Sequence, residues 1–135
     1  MRATISIFLA ALVLLMISSH DTFASRFRHY PERPPEEIRH ALGTLRLDDL
    51  GNGHVSVTFW SSDDAASRME NIREAARARS DSTLTHIGVN LTDNRELFEA
   101  FLKRDRLAGD SLQLLAAGED AKRLREAYGY RTVYK

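Results

Sequence analysis

The sequence predicts an α/β domain built on one layered sheet. Three observations lead there. Apolar, β-branched runs alternate along the chain with stretches of helical period. Capping and turn residues stand at the junctions between them. The length, 135 residues, suits one small domain.

Composition narrows the function before any motif is considered. Nineteen basic residues balance nineteen acidic ones, so no net field marks a nucleic-acid binder. There is no cysteine. That excludes a disulfide framework, a thiolate nucleophile and a cysteine-ligated metal.

The N-terminus reads as a leader. Arg2 gives a positive start, Ile5 to Ile17 is apolar, and Thr22-Phe23-Ala24 has the small residues of a cleavage site. The apolar run is shorter than the ~20 residues that span a bilayer comfortably. The expectation is a Sec-type signal peptide over 1–24, cut after Ala24, and a mature chain in the periplasm or outside the cell. An uncleaved signal would instead tether the domain to the membrane. From 25 to 43 the pattern predicts a linker and a short helix. Ser25 to Pro35 (SRFRHYPERPP) reads as an arm, and Pro35 opens a helix over Glu36 to Leu42 that Gly43 closes.

The domain is expected over 44–135. Asp48 to Gly53 is turn chemistry, and its acidic spacing does not meet the calcium-loop pattern. His54 to Trp60 (HVSVTFW) predicts a strand with Val55, Val57 and Phe59 on one face. A helix over Ala65 to Arg79 follows, with Ala65, Met69, Ile72 and Ala76 as its apolar stripe. Leu84 to Leu91 is apolar enough for a central parallel strand. Together these make a right-handed βαβ unit. Asp93 with Glu96 starts a second helix, with Leu97, Phe98, Phe101 and Leu102 as its buried side. Leu112 to Leu115 is a short strand. Glu119 to Tyr128 is a third helix, with Ala121, Leu124 and Tyr128 aligned and Gly129 as its stop. Thr132 to Lys135 begins another strand.

In an α/β sheet, ligands gather at the carboxyl ends of strands, where helix N-termini stabilise negative charge. The segment Phe59 to Arg68 (FWSSDDAASR) occupies such a place. It resembles the active-site segment of the thioredoxin-like superfamily, whose secreted thiol-disulfide oxidoreductase branch reads F-W-A-x-W-C-x-x-C-R. Phe59, Trp60, Ser62 and Arg68 fit that pattern without gaps. Asp64 then stands at the attacking cysteine, Ser67 at the resolving one and Asp63 at the second tryptophan. The likeness extends from about Leu45 to the C-terminus. It implies a three-layer α/β/α sandwich with a substrate groove beside the helix start.

Two departures qualify what the resemblance implies. D-A-A-S replaces C-x-x-C, and without a thiolate there is no agent for thiol–disulfide exchange. No catalytic residue is therefore expected at the degenerate positions Asp64 and Ser67. The family's Val-Pro-Thr loop maps to Val133-Tyr134-Lys135, so the fold is expected to be C-terminally truncated, without the antiparallel strand pair and final helix.

The implied groove comprises Trp60, Ser62, Asp63, Asp64, Arg68 and Tyr134. Trp60 has an alternative place in the core. The scattered histidines predict no metal site, and no cofactor is expected. His86 is expected to pack against a helix. The leading expectation is a redox-inactive protein- or peptide-binding or scaffolding module, partnered by a protein, a peptide or a second copy of itself, and by no nucleic acid. Alternatives are a divergent or truncated oxidoreductase relative with lapsed activity, and a non-thiol enzyme using Asp63 or Asp64. The last runs against the helix N-terminus, which lowers a carboxyl pKa where general acid–base work needs it raised.

Overall fold

The computed structural model describes residues 29–51, 53–109 and 111–135. The expected leader and its expected cleavage site lie outside them. Along the chain come β1 (Glu37–His40), β2 (Gly43–Arg46), a 3-10 turn (Leu47–Leu50), β3 (His54–Trp60) and α1 (Ala65–Ser80). They are followed by β4 (Leu84–Asn90), α2 (Arg95–Arg104), β5 (Leu112–Leu115), α3 (Gly118–Tyr128) and β6 (Thr132–Tyr134). Four strands form the main sheet in the order β5-β4-β3-β6, with β1 and β2 as a separate hairpin.

β3 runs parallel to β4, and β4 parallel to β5, as expected of strands joined through helices. Side chains alternate across the sheet, so β3 presents two unlike faces. Val55, Val57 and Phe59 join Ile87, Val89 and Leu114 in the main core, under Ala121, Leu124 and Tyr128 of α3. Phe59 stacks on Tyr128, ring centroids 4.7 Å apart. The opposite face carries Ser56, Thr58 and Trp60, and there Trp60 packs with Phe98 of α2 and with Leu115.

Three expectations are corrected. Residues 36–42 form no helix: Glu37–His40 pairs antiparallel with Gly43–Arg46, Ile38 opposite Leu45. Ile38 is fully buried in the main core, and Gly43, at φ 143°, takes a conformation that a side chain would oppose. Pro35 thus precedes a strand. Secondly, the antiparallel strand pair is not wholly missing, because Thr132–Tyr134 forms the strand its sequence predicts. It is an antiparallel strand against β3, with Val133 opposite Val57, so the first antiparallel partner of the sheet is present. No cis peptide bond occurs among the described residues. Thirdly, the apolar stripe assigned to α1 is not its buried side. Ser67, Asn71, Glu74 and Ala75 are buried instead, while Ala65, Met69 and Ala76 are exposed.

The physical reason for the third correction lies under α1. The sheet face there is polar, and α1 meets it with polar groups. His86 bonds Ser56 Oγ at 3.0 Å through Nδ1 and Asn71 Oδ1 at 2.9 Å through Nε2. Asn71 and Gln113 pair amide to amide, at 3.0 and 3.3 Å. Buried polar groups need such partners, and satisfying them fixes the rotation of the helix. His86 thus packs against a helix, as its place opposite Ile87 predicts.

Candidate functional site

β3 and β4 end side by side, and α1 begins just beyond them. Three of the first four residues after β3 are a serine pair and the N-cap, Ser61, Ser62 and Asp64, with Asp63 between. The turn is short, and its backbone donors must find acceptors locally. Ser61 Oγ accepts from the Asp63 N–H at 3.2 Å. Thr92 Oγ1, at the end of β4, accepts from the Ser62 N–H at 2.9 Å. Asn90 donates to Ser62 Oγ at 3.1 Å and accepts from the Thr92 N–H at 2.8 Å.

Asp64 is the N-cap of α1, with an extended backbone, and its Oδ2 accepts from the Ser67 N–H at 2.9 Å. Ser67 returns the contact. Its hydroxyl donates to the Asp64 carbonyl at 3.1 Å and accepts from the Ser61 N–H at 3.1 Å. Ser67, through its hydroxyl and then its backbone N–H, holds the Asp64 carboxyl below the ordinary carboxylate range. The carboxyl is therefore an anion at neutral pH, fixed as a cap. General acid–base work needs the opposite shift.

The structure brings Ser62, Asp63, Asp64 and Ser67 together and sends the remaining expected residues elsewhere. Trp60 is 0% exposed, beneath the turn and not in it; its apolar ring packs beside Phe98, 6.2 Å between centroids. Its Nε1 is buried without an acceptor among the described residues. Arg68 is engaged: Nε and Nη2 grip Asp105 at 2.9 and 3.1 Å, and the guanidinium lies 4.8 Å from the Phe101 ring. Tyr134 is remote, because antiparallel pairing sets it opposite Ser56, toward the start of β3. Its hydroxyl donates to Glu74 at 3.2 Å, and its ring lines a cleft of about 540 Å³ with Arg33, Pro34 and Lys135.

Three contributors to this end of the sheet are absent from the sequence expectation. Asn90 and Thr92 complete the polar cluster, and their signal was their position at the carboxyl end of the neighbouring strand. Tyr130, 41% exposed, precedes the Arg131 carbonyl that pairs with the Phe59 N–H at 2.9 Å. That pairing puts Tyr130 on the site's β6 border. Among the described residues no three His, Asp or Glu side chains cluster as metal ligands, and no helix is long and apolar enough to cross a membrane.

No protein-family model and no curated protein matches the sequence. Solved structures do match. A thioredoxin-like protein from Parabacteroides distasonis aligns at 19% identity and TM-score 0.50, over 56% of this chain and 57% of that one. The chain thus spans little more than half the length of that protein. The thioredoxin domain of a Bacteroides vulgatus thiol-disulfide oxidoreductase aligns at 22% identity and TM-score 0.56, covering 72% and 70%. A secreted disulfide oxidoreductase of Mycobacterium tuberculosis aligns at 13% identity and TM-score 0.53, covering 73% and 81%. Sequence identities this low speak for the backbone arrangement alone. With a βαβ unit ending at a helix N-terminus, an antiparallel strand beside β3 and no cysteine, the chain is thioredoxin-like in fold.

Proposed function

We propose that this is a redox-inactive thioredoxin-like domain that binds extended or unfolded polypeptide at the open end of β3 and α1. One observation carries the reading. The strand–turn–helix frame is kept, while Asp64 and Ser67 hold the two cysteine places as a hydrogen-bonded cap. Thiol exchange requires a thiolate, and the chain has none. What the frame still offers is a rigid platform at the carboxyl ends of the strands, where ligands of α/β folds bind.

The binding edge is formed by Ser62, exposed Asp63 and Tyr130, with Asp64 anchoring the turn. Trp60 supports it from below, and Arg68 supports it through Asp105. The leader pattern of residues 1–24 supports work outside the cytoplasm, and one of the matched structures is of a secreted protein.

Titration of the purified chain into a fluorescent, carboxymethylated unfolded polypeptide tests the proposal. Anisotropy should rise and saturate, and Asp63→Lys or Tyr130→Ala should weaken binding several-fold. A flat signal up to millimolar chain would overturn it.

A further inference from the structure

The sequence gives α1 an apolar stripe, yet the fold turns that stripe outward. Ala65, Met69 and Ala76 are exposed, Met69 at 51%, and Ile72 is half-buried. The inward side carries Ser67, Asn71 and Glu74, and Asn71 bonds His86 and Gln113 over the sheet. A helix that buries polar groups and shows its apolar side to water is missing a neighbour on that side.

Two copies of the stripe match each other when they run antiparallel. Ala65, Met69, Ile72 and Ala76 are spaced by four, three and four residues, the same read in either direction. The chemistry is symmetric too: small at both ends, large and apolar in the middle. We propose that the stripe is a homodimer contact, with α1 of two copies packed antiparallel across a twofold axis. Such an interface is isologous, so each patch must complement itself. Here Ala65 comes level with Ala76 of the partner subunit, letting the backbones approach, and Met69 meets the partner's Ile72.

Charge selects the same arrangement. Exposed Asp63 lies at the N-terminal end of α1, and Arg77 and Arg79 lie in its last turn. Antiparallel packing sets Asp63 beside the partner's Arg79, while Arg77 stays paired with Glu74 and over Tyr134 of its own chain, and it opposes the two helix dipoles favourably. A parallel pair would stack like charges at both ends. One helix pair of sixteen residues stays below the roughly 1,200 Å² of a standard interface. The dimer is accordingly weak and concentration-dependent. The apolar contact lies on the outer side of α1, while Asp63 is shared with the proposed binding edge; Met69 and Ala76 lie outside that edge, so their variants test the dimer separately.

Sedimentation velocity of the purified chain, from micromolar to millimolar, reads the association directly. The sedimentation coefficient should rise with concentration toward a dimer. Met69→Glu, and separately Ala76→Arg, should weaken association at least tenfold; both sites are exposed, so the thermal melts should hardly move. A cysteine-free chain also allows clean cross-linking. A mixture of Ala65→Cys and Ala76→Cys chains should be joined by a short bis-maleimide. Neither variant alone should link, because equivalent residues then lie about 16 Å apart along the helices. A chain monomeric throughout, association indifferent to Met69→Glu and Ala76→Arg, or linking by Ala65→Cys alone would each overturn the proposal.

Discussion

Asp64 and Ser67 are tied to each other twice, by Ser67 N–H to Asp64 Oδ2 at 2.9 Å and by Ser67 Oγ to the Asp64 carbonyl at 3.1 Å. By the resemblance of Phe59 to Arg68 to the thioredoxin-like segment, these are the two places of the cysteine pair. Here a carboxylate and a hydroxyl close the first turn of α1 without a covalent bond. Asp64→Ala removes the cap and should lower stability by about 1 kcal/mol. Ser67→Ala leaves the Ser61 N–H without its acceptor and should cost about 1–3 kcal/mol. Because the two residues share one network, the double variant should cost less than the sum. Urea denaturation of the four chains measures all of this.

Arg68 fits the active-site pattern, but its contacts make it a strut. Its guanidinium is the bidentate partner of Asp105, whose side chain is 6% exposed. Arg68→Ala strands that carboxylate and should cost about 2 kcal/mol, between the values for surface and buried pairs. Arg68→Lys should recover only part of the loss, since one ammonium cannot reproduce the two-pronged grip. Denaturation midpoints of the two variants decide whether the residue acts on stability in this way.

His86 makes the fold acid-sensitive above the range where carboxylates titrate. Burial lowers its pKa to about 4, with the Glu74 charge and then Ser56 pulling weakly the other way. The neutral ring suits its partners: Nε2 faces the Asn71 carbonyl oxygen and must donate, which leaves Nδ1 to accept from the Ser56 hydroxyl. Between pH 6.5 and 4 the unfolded chain takes up a proton that the folded chain refuses. Stability is therefore full above pH 6.5, falls as pH drops toward 4, and levels off below. The shift corresponds to a loss on the order of 3 kcal/mol. Urea midpoints at pH 7 and pH 4.5 measure it, and His86→Gln should flatten the difference.

Gly88 clears the space for the amide pair. A Cβ there would run into Gln113 Oε1 and Asn71 Oδ1. Gly88→Ala should force the two amides apart, leave polar groups unpaired under α1 and cost about 2 kcal/mol. An unchanged thermal midpoint for Gly88→Ala would show that the amide pair moves aside freely.

Much of this architecture was legible in the residues. β3 and β4 declare themselves because β-branched and aromatic residues fill central strands, and Ala121, Leu124 and Tyr128 mark the buried side of α3 as they stand in the structure. Periodicity misled where the interior is polar. Scoring apolar residues on α1 selects Met69 and Ile72, but the sheet beneath carries Ser56, His86 and Asn90, and the helix turns Asn71 and Glu74 to meet them. The β1–β2 hairpin was hidden for another reason: Pro35 before an acidic pair suits a helix start, and only the long-range burial of Ile38 decides against it. The N-cap of α2 falls on Asn94, one residue beyond the expected Asp93, which adopts φ 55°. At the site, local sequence located the helix start at Ala65, as the structure has it. It could not reveal that Tyr134 belongs to the far end of β3, because strand register is a long-range property.

The turbidity of dithiothreitol-reduced insulin tests the central claim most directly, since one trace separates catalysis from recognition. Catalysed reduction brings the onset of aggregation forward, and polypeptide binding delays it. Added at increasing concentration, the purified chain should never shorten the lag and should lengthen it. A lag that shortens with added chain would contradict redox inactivity, and a lag that never changes would contradict polypeptide binding.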